Sequence, residues 1–213
     1  MISVVGYGSL LSEQSARETV PGLTNFRLVT VPGYRRIFNK VGVVFLSRYG
    51  ADPQSLQLAS CATQASAENQ IICTQFECSK ADFADLFERE HRFEWVEVET
   101  IAMDGTGSVG RMCTQSSDQF YRTQKCQSES EYHNRVGQYY DGLLWRDDIL
   151  PYPRYLAFCL QAAHSQGQWV LDNFLDHSYL ADGVTPIRTY IADQGLSYWL
   201  QFDTTYSYQN RTN

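Results

Sequence analysis

The 213-residue sequence is short of cations, histidines and long apolar runs, and each shortage removes a class of function. Its 17 Lys and Arg face 24 Asp and Glu, a formal net charge of −7, and the longest basic cluster is the pair Arg35 and Arg36. A polyphosphate surface repels such a chain, so no nucleic acid partner is expected. No stretch approaches the roughly 18 consecutive apolar residues of a membrane span, so no membrane partner is expected either. Gly6 and Gly8 interrupt the first apolar run and no basic region precedes it, which argues against secretion; the expected location is cytoplasmic. The four histidines (His91, His133, His164, His177) and six cysteines contain no C-x-x-C pair and no metal-ligand spacing. Neither a metal nor a disulfide framework is therefore expected, and the thiols read as reduced and structural. Asn210-Arg211-Thr212 matches a glycosylation acceptor, but it lies in a polar tail without a secretory signal.

What is present is a chain of ordinary globular composition, 43% hydrophobic and 14% aromatic, with no internal repeat. Residues 2–6 read as a strand, and Ser12 as the cap of a short helix over 13–19. Residues 26–40, "FRLVTVPGYRRIFNK", read as strands on either side of Pro32-Gly33, and 50–60 as a loop. A strand is expected over 69–78, then a helix capped by Ser79, in which Phe83, Leu86 and Phe87 recur at helical spacing. Residues 93–103 alternate and predict another strand. From 104 to 150 the pattern weakens into a polar, turn-rich stretch, an insertion or flap over roughly 113–150. Two helices follow, "RYLAFCLQAAHS" and "WVLDNFLDHSYL". Strands first and helices last indicate an α+β class. One domain over 1–200, with a tail over 201–213, is the expected organisation.

Two motifs invite chemistry and do not support it. "GTGSVG" at 105–110 satisfies the dinucleotide pattern G-x-G-x-x-G, but "RMCTQSSDQ" follows with no helical period to meet a pyrophosphate; a hairpin turn is expected. Glu94, Glu97 and Glu99 suggest a paired-acid hydrolase, yet alternation puts Glu97 and Glu99 on the solvent face of a strand.

The stretch "VVGYGSLL" at 4–11 is different. A turn of small residues after a buried strand leaves backbone N–H groups outside any ladder, and converging amides favour an anion. Residues 8–10 are thus either a tight turn or an anion cradle with Tyr7 at its lip. Combined with "PGYRRIFN", "LFEREHRFEWVEVE" and "PYPRYLAFCLQAAHSQGQWVLDNFLD", in that order over residues 3–191, "YGSLL" resembles the γ-glutamylcyclotransferase superfamily, including its ChaC and AIG2-like branches.

That resemblance implies a mixed β-sheet or small β-barrel with flanking helices, and cyclisation of a γ-glutamyl small molecule to 5-oxoproline without metal or cofactor. It places substrate binding at Tyr7, Gly8, Ser9 and Leu10, the catalytic carboxylate at Glu90, and an orienting tyrosine at Tyr155. A further family tyrosine falls nearest Phe93, which lacks the hydroxyl. The chemistry is self-consistent: the substrate's α-amine is its own nucleophile, and holding the chain folded gives a large effective molarity. With a reference pKa of about 8 the amine is mostly ammonium, so a base must take its proton and the leaving amine must receive one. One partly buried carboxylate can do both in turn. Glu88 is the alternative carboxylate, and Glu90 in a mixed-charge run is also compatible with a solvated helix end. A non-catalytic small-ligand binder and an interaction module using 113–150 remain as other functional classes.

Overall fold

The computed structural model describes residues 1–204. Strand β1 (Ile2–Gly6) buries Val4 and Val5 completely or nearly so, as an inner strand with apolar neighbours on both faces must. A single 3-10 turn (Ser9–Leu11) leads into helix α1 (Glu13–Thr19), whose first turn is capped by the Ser12 hydroxyl accepting from the Ser15 amide. Strand β2 (Thr24–Val41) follows, then helix α2 (Val43–Tyr49), strand β3 (Gln57–Cys78) and helix α3 (Lys80–Arg89), with Ser79 as the cap of α3. Strands β4 (Glu94–Ala102) and β5 (Gly107–Thr114) form a hairpin.

The strands are ordered β3-β1-β5-β4-β2, and β2 pairs again with β3. The sheet therefore closes on itself as a five-stranded mixed barrel. β1 runs antiparallel to β3, from Ile2 opposite Cys78 to Gly6 opposite Thr74, and parallel to β5. Helical turns occupy 118–137. The short strand β6 (Leu150–Pro151) then adds to β3, and helices α4 (Pro153–Ser165) and α5 (Gln168–Asp176) pack across the barrel's flank. The short strand β7 (Ser178–Leu180) adds parallel to β2 through Arg36, Ile37 and Phe38. Among the described residues no helix is long and apolar enough to cross a membrane.

The expected α+β class and small barrel are observed. The hairpin expected at 105–110 is there, and Glu97 and Glu99 are exposed on β4. All six cysteines are free and buried. Other expectations need correction. Pro32-Gly33 does not separate two strands: β2 continues through a register shift between Pro32 and Tyr34, where Gly33 takes the left-handed φ of +75°. The loop expected over 50–60 gives way at Gln57 to β3, which is 22 residues long rather than confined to 69–78. Residues 43–49 form a helix that the periodicity did not single out. The second C-terminal helix ends at Asp176, and Ser178–Leu180 leave it to pair with β2. The glycosylation-like Asn210 and most of the expected 201–213 tail lie outside the described residues.

One buried charge fixes the geometry at the end of β1. Arg36 is fully buried, and its guanidinium lies 4.7 Å from the Phe174 ring centroid. Its Nε donates to the Tyr7 carbonyl at 2.6 Å, Nη2 donates to the Ile72 carbonyl, and Nη1 reaches Asn173 Oδ1 at 3.5 Å. Neutral oxygens, not a carboxylate, thus satisfy the planar fork. Arg36→Met would leave the Tyr7 and Ile72 carbonyls buried and unpaired, at a cost of about 2–4 kcal/mol. Thermal unfolding should show Tm lower by about 5–12 °C. Arg36→Lys should recover less than half of the loss, because an ammonium lacks the fork.

Candidate functional site

The loop after β1 is held from inside by its carbonyls. Arg36 takes Tyr7 O, Thr74 Oγ1 donates to Leu10 O at 2.8 Å and reaches Gly6 O at 3.3 Å, and Gln166 Nε2 donates to Leu11 O at 3.0 Å. The first amide bonded within the 3-10 turn is Leu11 N, which donates to Gly8 O at 3.0 Å. The amides of residues 8–10 precede that bond and so lie outside the turn's own ladder. Gly8, Ser9 and Leu10 line a cleft of about 1540 Å3 that opens to solvent.

Glycine is required here for space. A Cβ on Gly6 would stand 2.5 Å from Leu10 Cβ, and one on Gly8 would stand 2.9 Å from the Tyr155 hydroxyl. Tyr155 lies in the first turns of α4, whose start is set by Pro153, and its hydroxyl bonds to the Cys159 thiol. Burial pushes the phenols of Tyr7 and Tyr155 well above their ordinary value, so both stay protonated hydrogen-bond donors. Phe45 of α2 stacks on Tyr152 at 4.4 Å and contacts Tyr155 at 5.5 Å between centroids, making an aromatic wall.

Glu90 caps the C-terminus of α3 and lines the same cleft as residues 7–10 and Tyr155. Its side chain is 24% exposed, and Oε1 meets Arg89 Nε at 3.3 Å. Its charge adds to the upward push on both phenols, Tyr7 and Tyr155, behind burial. Glu88 points elsewhere: it is 60% exposed and pairs with Arg135 at 2.6 Å, whose hydrogen bond holds its carboxyl below the ordinary value. Phe93 is buried beside the cleft, its ring edge-on to Trp145 at 5.8 Å. The stretch over 113–150 contributes Asn134, Arg135 and Tyr139 to the rim. It is tied down by Asp118, whose carboxylate accepts from the Leu144 and Trp145 amides at 2.7 and 3.1 Å.

Sequence reasoning missed Lys40 and Arg92. Lys40 is buried on the cleft wall, with Nζ 4.6 Å from the Phe93 centroid. Burial, with Arg92 nearby, pushes its ammonium down to about 7, while Glu90 opposes the shift. No local signal marked Lys40: it closes β2 after a register shift between Ile37 and Lys40, and its buried neighbours lie far along the chain.

Two outcomes follow from these contacts. Gly8→Ala should cost about 1–3 kcal/mol through the contact with the Tyr155 hydroxyl. In a Tyr155→Phe background that cost should fall by about 1 kcal/mol or more, measured as a double-mutant cycle in denaturant. Lys40 binds its proton less tightly folded, at about 7, than its ordinary 10.5. Between those values the unfolded chain holds more protons, so this group's penalty is full below pH 7 and fades as pH rises toward 10.5. Lys40→Met should therefore raise stability by about 2–4 kcal/mol at pH 6, with the gain shrinking by pH 10, as read from unfolding curves across pH.

No family model and no curated protein matches the sequence. Among solved structures, one described as a gamma-glutamyl cyclotransferase superposes with a TM-score of 0.54 and 13% identity, covering 81% of this chain and 83% of its own. A human protein, described as uncharacterized protein loc79017, gives the same TM-score and coverage at 14% identity. At that identity the likeness concerns architecture: the chain has the γ-glutamylcyclotransferase-like fold, an α+β mixed barrel with flanking helices.

Proposed function

We propose that the protein is a γ-glutamylcyclotransferase, converting a γ-glutamyl compound to 5-oxoproline and a free amine or amino acid. The observation that carries this reading is the shared cleft: Glu90, the loop at residues 7–10 and the phenol of Tyr155 line one cavity although they come from three distant parts of the chain. The fold neighbour described as a gamma-glutamyl cyclotransferase supports it.

In this reading the amides of Gly8, Ser9 and Leu10 hold the substrate's α-carboxylate, as backbone donors at a turn do for anions. Tyr7 and Tyr155, both protonated, donate to substrate oxygens and exclude water on the barrel side. Pinning the carboxylate orients the α-amine toward Glu90. Glu90 removes a proton from the ammonium, and the freed nitrogen attacks the γ-carbonyl carbon to close a five-membered ring. The tetrahedral intermediate collapses by breaking the bond to the leaving nitrogen, which takes the proton from Glu90, and the ring nitrogen, cationic after its attack, gives up its second proton to the departing amine, which leaves as ammonium. The carboxylate ends as it began. Ring closure is intramolecular, so the enzyme's task is to fold the substrate and carry protons from the attacking nitrogen to the leaving one. No thiol is needed as nucleophile; burial pushes Cys61 well up and Cys159 to about 12, which keeps both protonated.

A second reading has two observations in its favour. Arg89 engages Glu90 Oε1 and Phe93 brings no hydroxyl, so a cleft that binds without turnover is the alternative. The two part on product. Purified protein incubated with γ-glutamyl-alanine, a γ-glutamylamine and glutathione should release 5-oxoproline from at least one. Glu90→Gln should lower kcat by about 100- to 10,000-fold with KM within a few-fold. Tight binding of an unaltered γ-glutamyl compound, with no 5-oxoproline from any substrate, would favour the binder.

A further inference from the structure

Several cations line the cleft, and two of them are held in ion pairs. Arg89 pairs with Glu90, and Arg135 pairs with Glu88 at 2.6 Å and Glu131 at 2.7 Å. Lys40 and Arg92 differ. Among the described residues neither makes an ion pair within 4.0 Å. Lys40 Nζ has three donors but makes one long bond, to the Val41 carbonyl at 3.3 Å, and otherwise rests on the Phe93 ring. Arg92 donates through Nη2 to the Arg135 carbonyl at 2.6 Å, while its Nε is buried without a partner. Both side chains line the cleft beside Glu90.

A buried cation without an anion is costly, and a buried donor without an acceptor adds to the cost. Lys40 can shed its proton but Arg92 cannot, and an anion entering between them relieves both. Among the described residues no carboxylate lies within ion-pair reach of either. The protein carries a net charge of −7, so a cationic wall here is not a reflection of general composition.

We propose that Lys40 and Arg92 form an anion subsite that holds a carboxylate on the leaving half of the substrate. This rests on the cyclotransferase reading, in which the α-carboxylate already occupies the amides of residues 8–10. The anion must then come from beyond the γ-amide bond. The cleft accordingly selects γ-glutamyl derivatives of amino acids over γ-glutamyl alkylamines and over amidated analogues. Binding also moves a proton. The groups acting on the Lys40 charge are Arg92, Glu90 and Cys113, with the Phe93 ring beneath it. A carboxylate added to that set draws a proton onto Lys40 at neutral pH.

The test compares γ-glutamyl-alanine with γ-glutamyl-alaninamide, which share the glutamyl half and differ in the acid on the leaving half. Wild type should favour the acid in kcat/KM by about 30-fold or more, and Lys40→Met should reduce that preference to about threefold or less. Arg92→Gln provides an independent variant with the same direction of change. Calorimetry on Glu90→Gln, in buffers of different ionisation heat, should show net proton uptake on binding γ-glutamyl-alanine at pH 7. That uptake should vanish when Lys40→Met is added. If 5-oxoproline forms equally from acid and amide, the subsite is overturned and the cyclotransferase reading stands. If no 5-oxoproline forms but the Lys40-dependent proton uptake is seen, the anion subsite stands and cyclisation falls. Absence of both turnover and uptake overturns both.

Discussion

The Arg36 guanidinium, buried without a carboxylate and spread over carbonyls of separate segments, is the contact on which the site depends. It joins the end of β1 at Tyr7 to β3 at Ile72 and to Asn173 of α5. Asn173 in turn accepts from the Ile72 amide at 2.8 Å and donates to Gln70 O at 3.1 Å, so the same side chain ties the C-terminal helix to the barrel. A hydrophobic residue could fill the volume, but it could not turn the carbonyls of the loop inward. With those carbonyls held by Arg36, Thr74 and Gln166, the loop's N–H edge is what remains for a ligand. Stability and the proposed binding site thus share one set of hydrogen bonds.

The cleft lining joins apolar and charged groups. Protonated phenols and the aromatic stack of Phe45, Tyr152 and Tyr155 form part of it. Glu90, Lys40 and Arg92 also line it, brought there by the end of α3, the end of β2 and the approach to β4. Such a cavity suits a small zwitterion with apolar methylenes between charged ends, which is the shape of a γ-glutamyl compound. In the proposed reaction it offers placement and proton transfer, the two requirements of an intramolecular aminolysis.

Much of this organisation was legible in the sequence because local signals agreed with tertiary packing. Val4 and Val5 followed by glycine gave β1, Ser12 gave the start of α1, and Ser79 with Phe83 and Leu86 gave α3. The misreadings have physical causes. Pro32 looked like a break, yet at a bulge its missing N–H is tolerated and Gly33 supplies the positive φ. The first half of β3 is polar beyond Cys61 to Ala62, and only its pairing with β2 and β6 makes it a strand. Ser178–Leu180 continue the helical pattern of α5 but are captured by the open edge of β2. In the candidate site, the residues carried by motifs line one cleft, whereas Lys40 was not singled out, because a lysine closing a strand reads as a solvated end. Its burial depends on Phe93 and on Trp145, the latter bridged to Lys40 across the barrel rim, and neither partner is local in sequence.

The central claim is that the loop amides and Glu90 act on the two polar groups of one α-carbon, its carboxylate and its amine. The most direct measurement is a crystal structure of Glu90→Gln soaked with γ-glutamyl-alanine. The account predicts the α-carboxylate within hydrogen-bond distance of the amides of Gly8, Ser9 or Leu10, and the α-nitrogen facing the residue-90 side chain. A ligand bound with its α-carboxylate away from that loop, or its α-nitrogen away from residue 90, would contradict it.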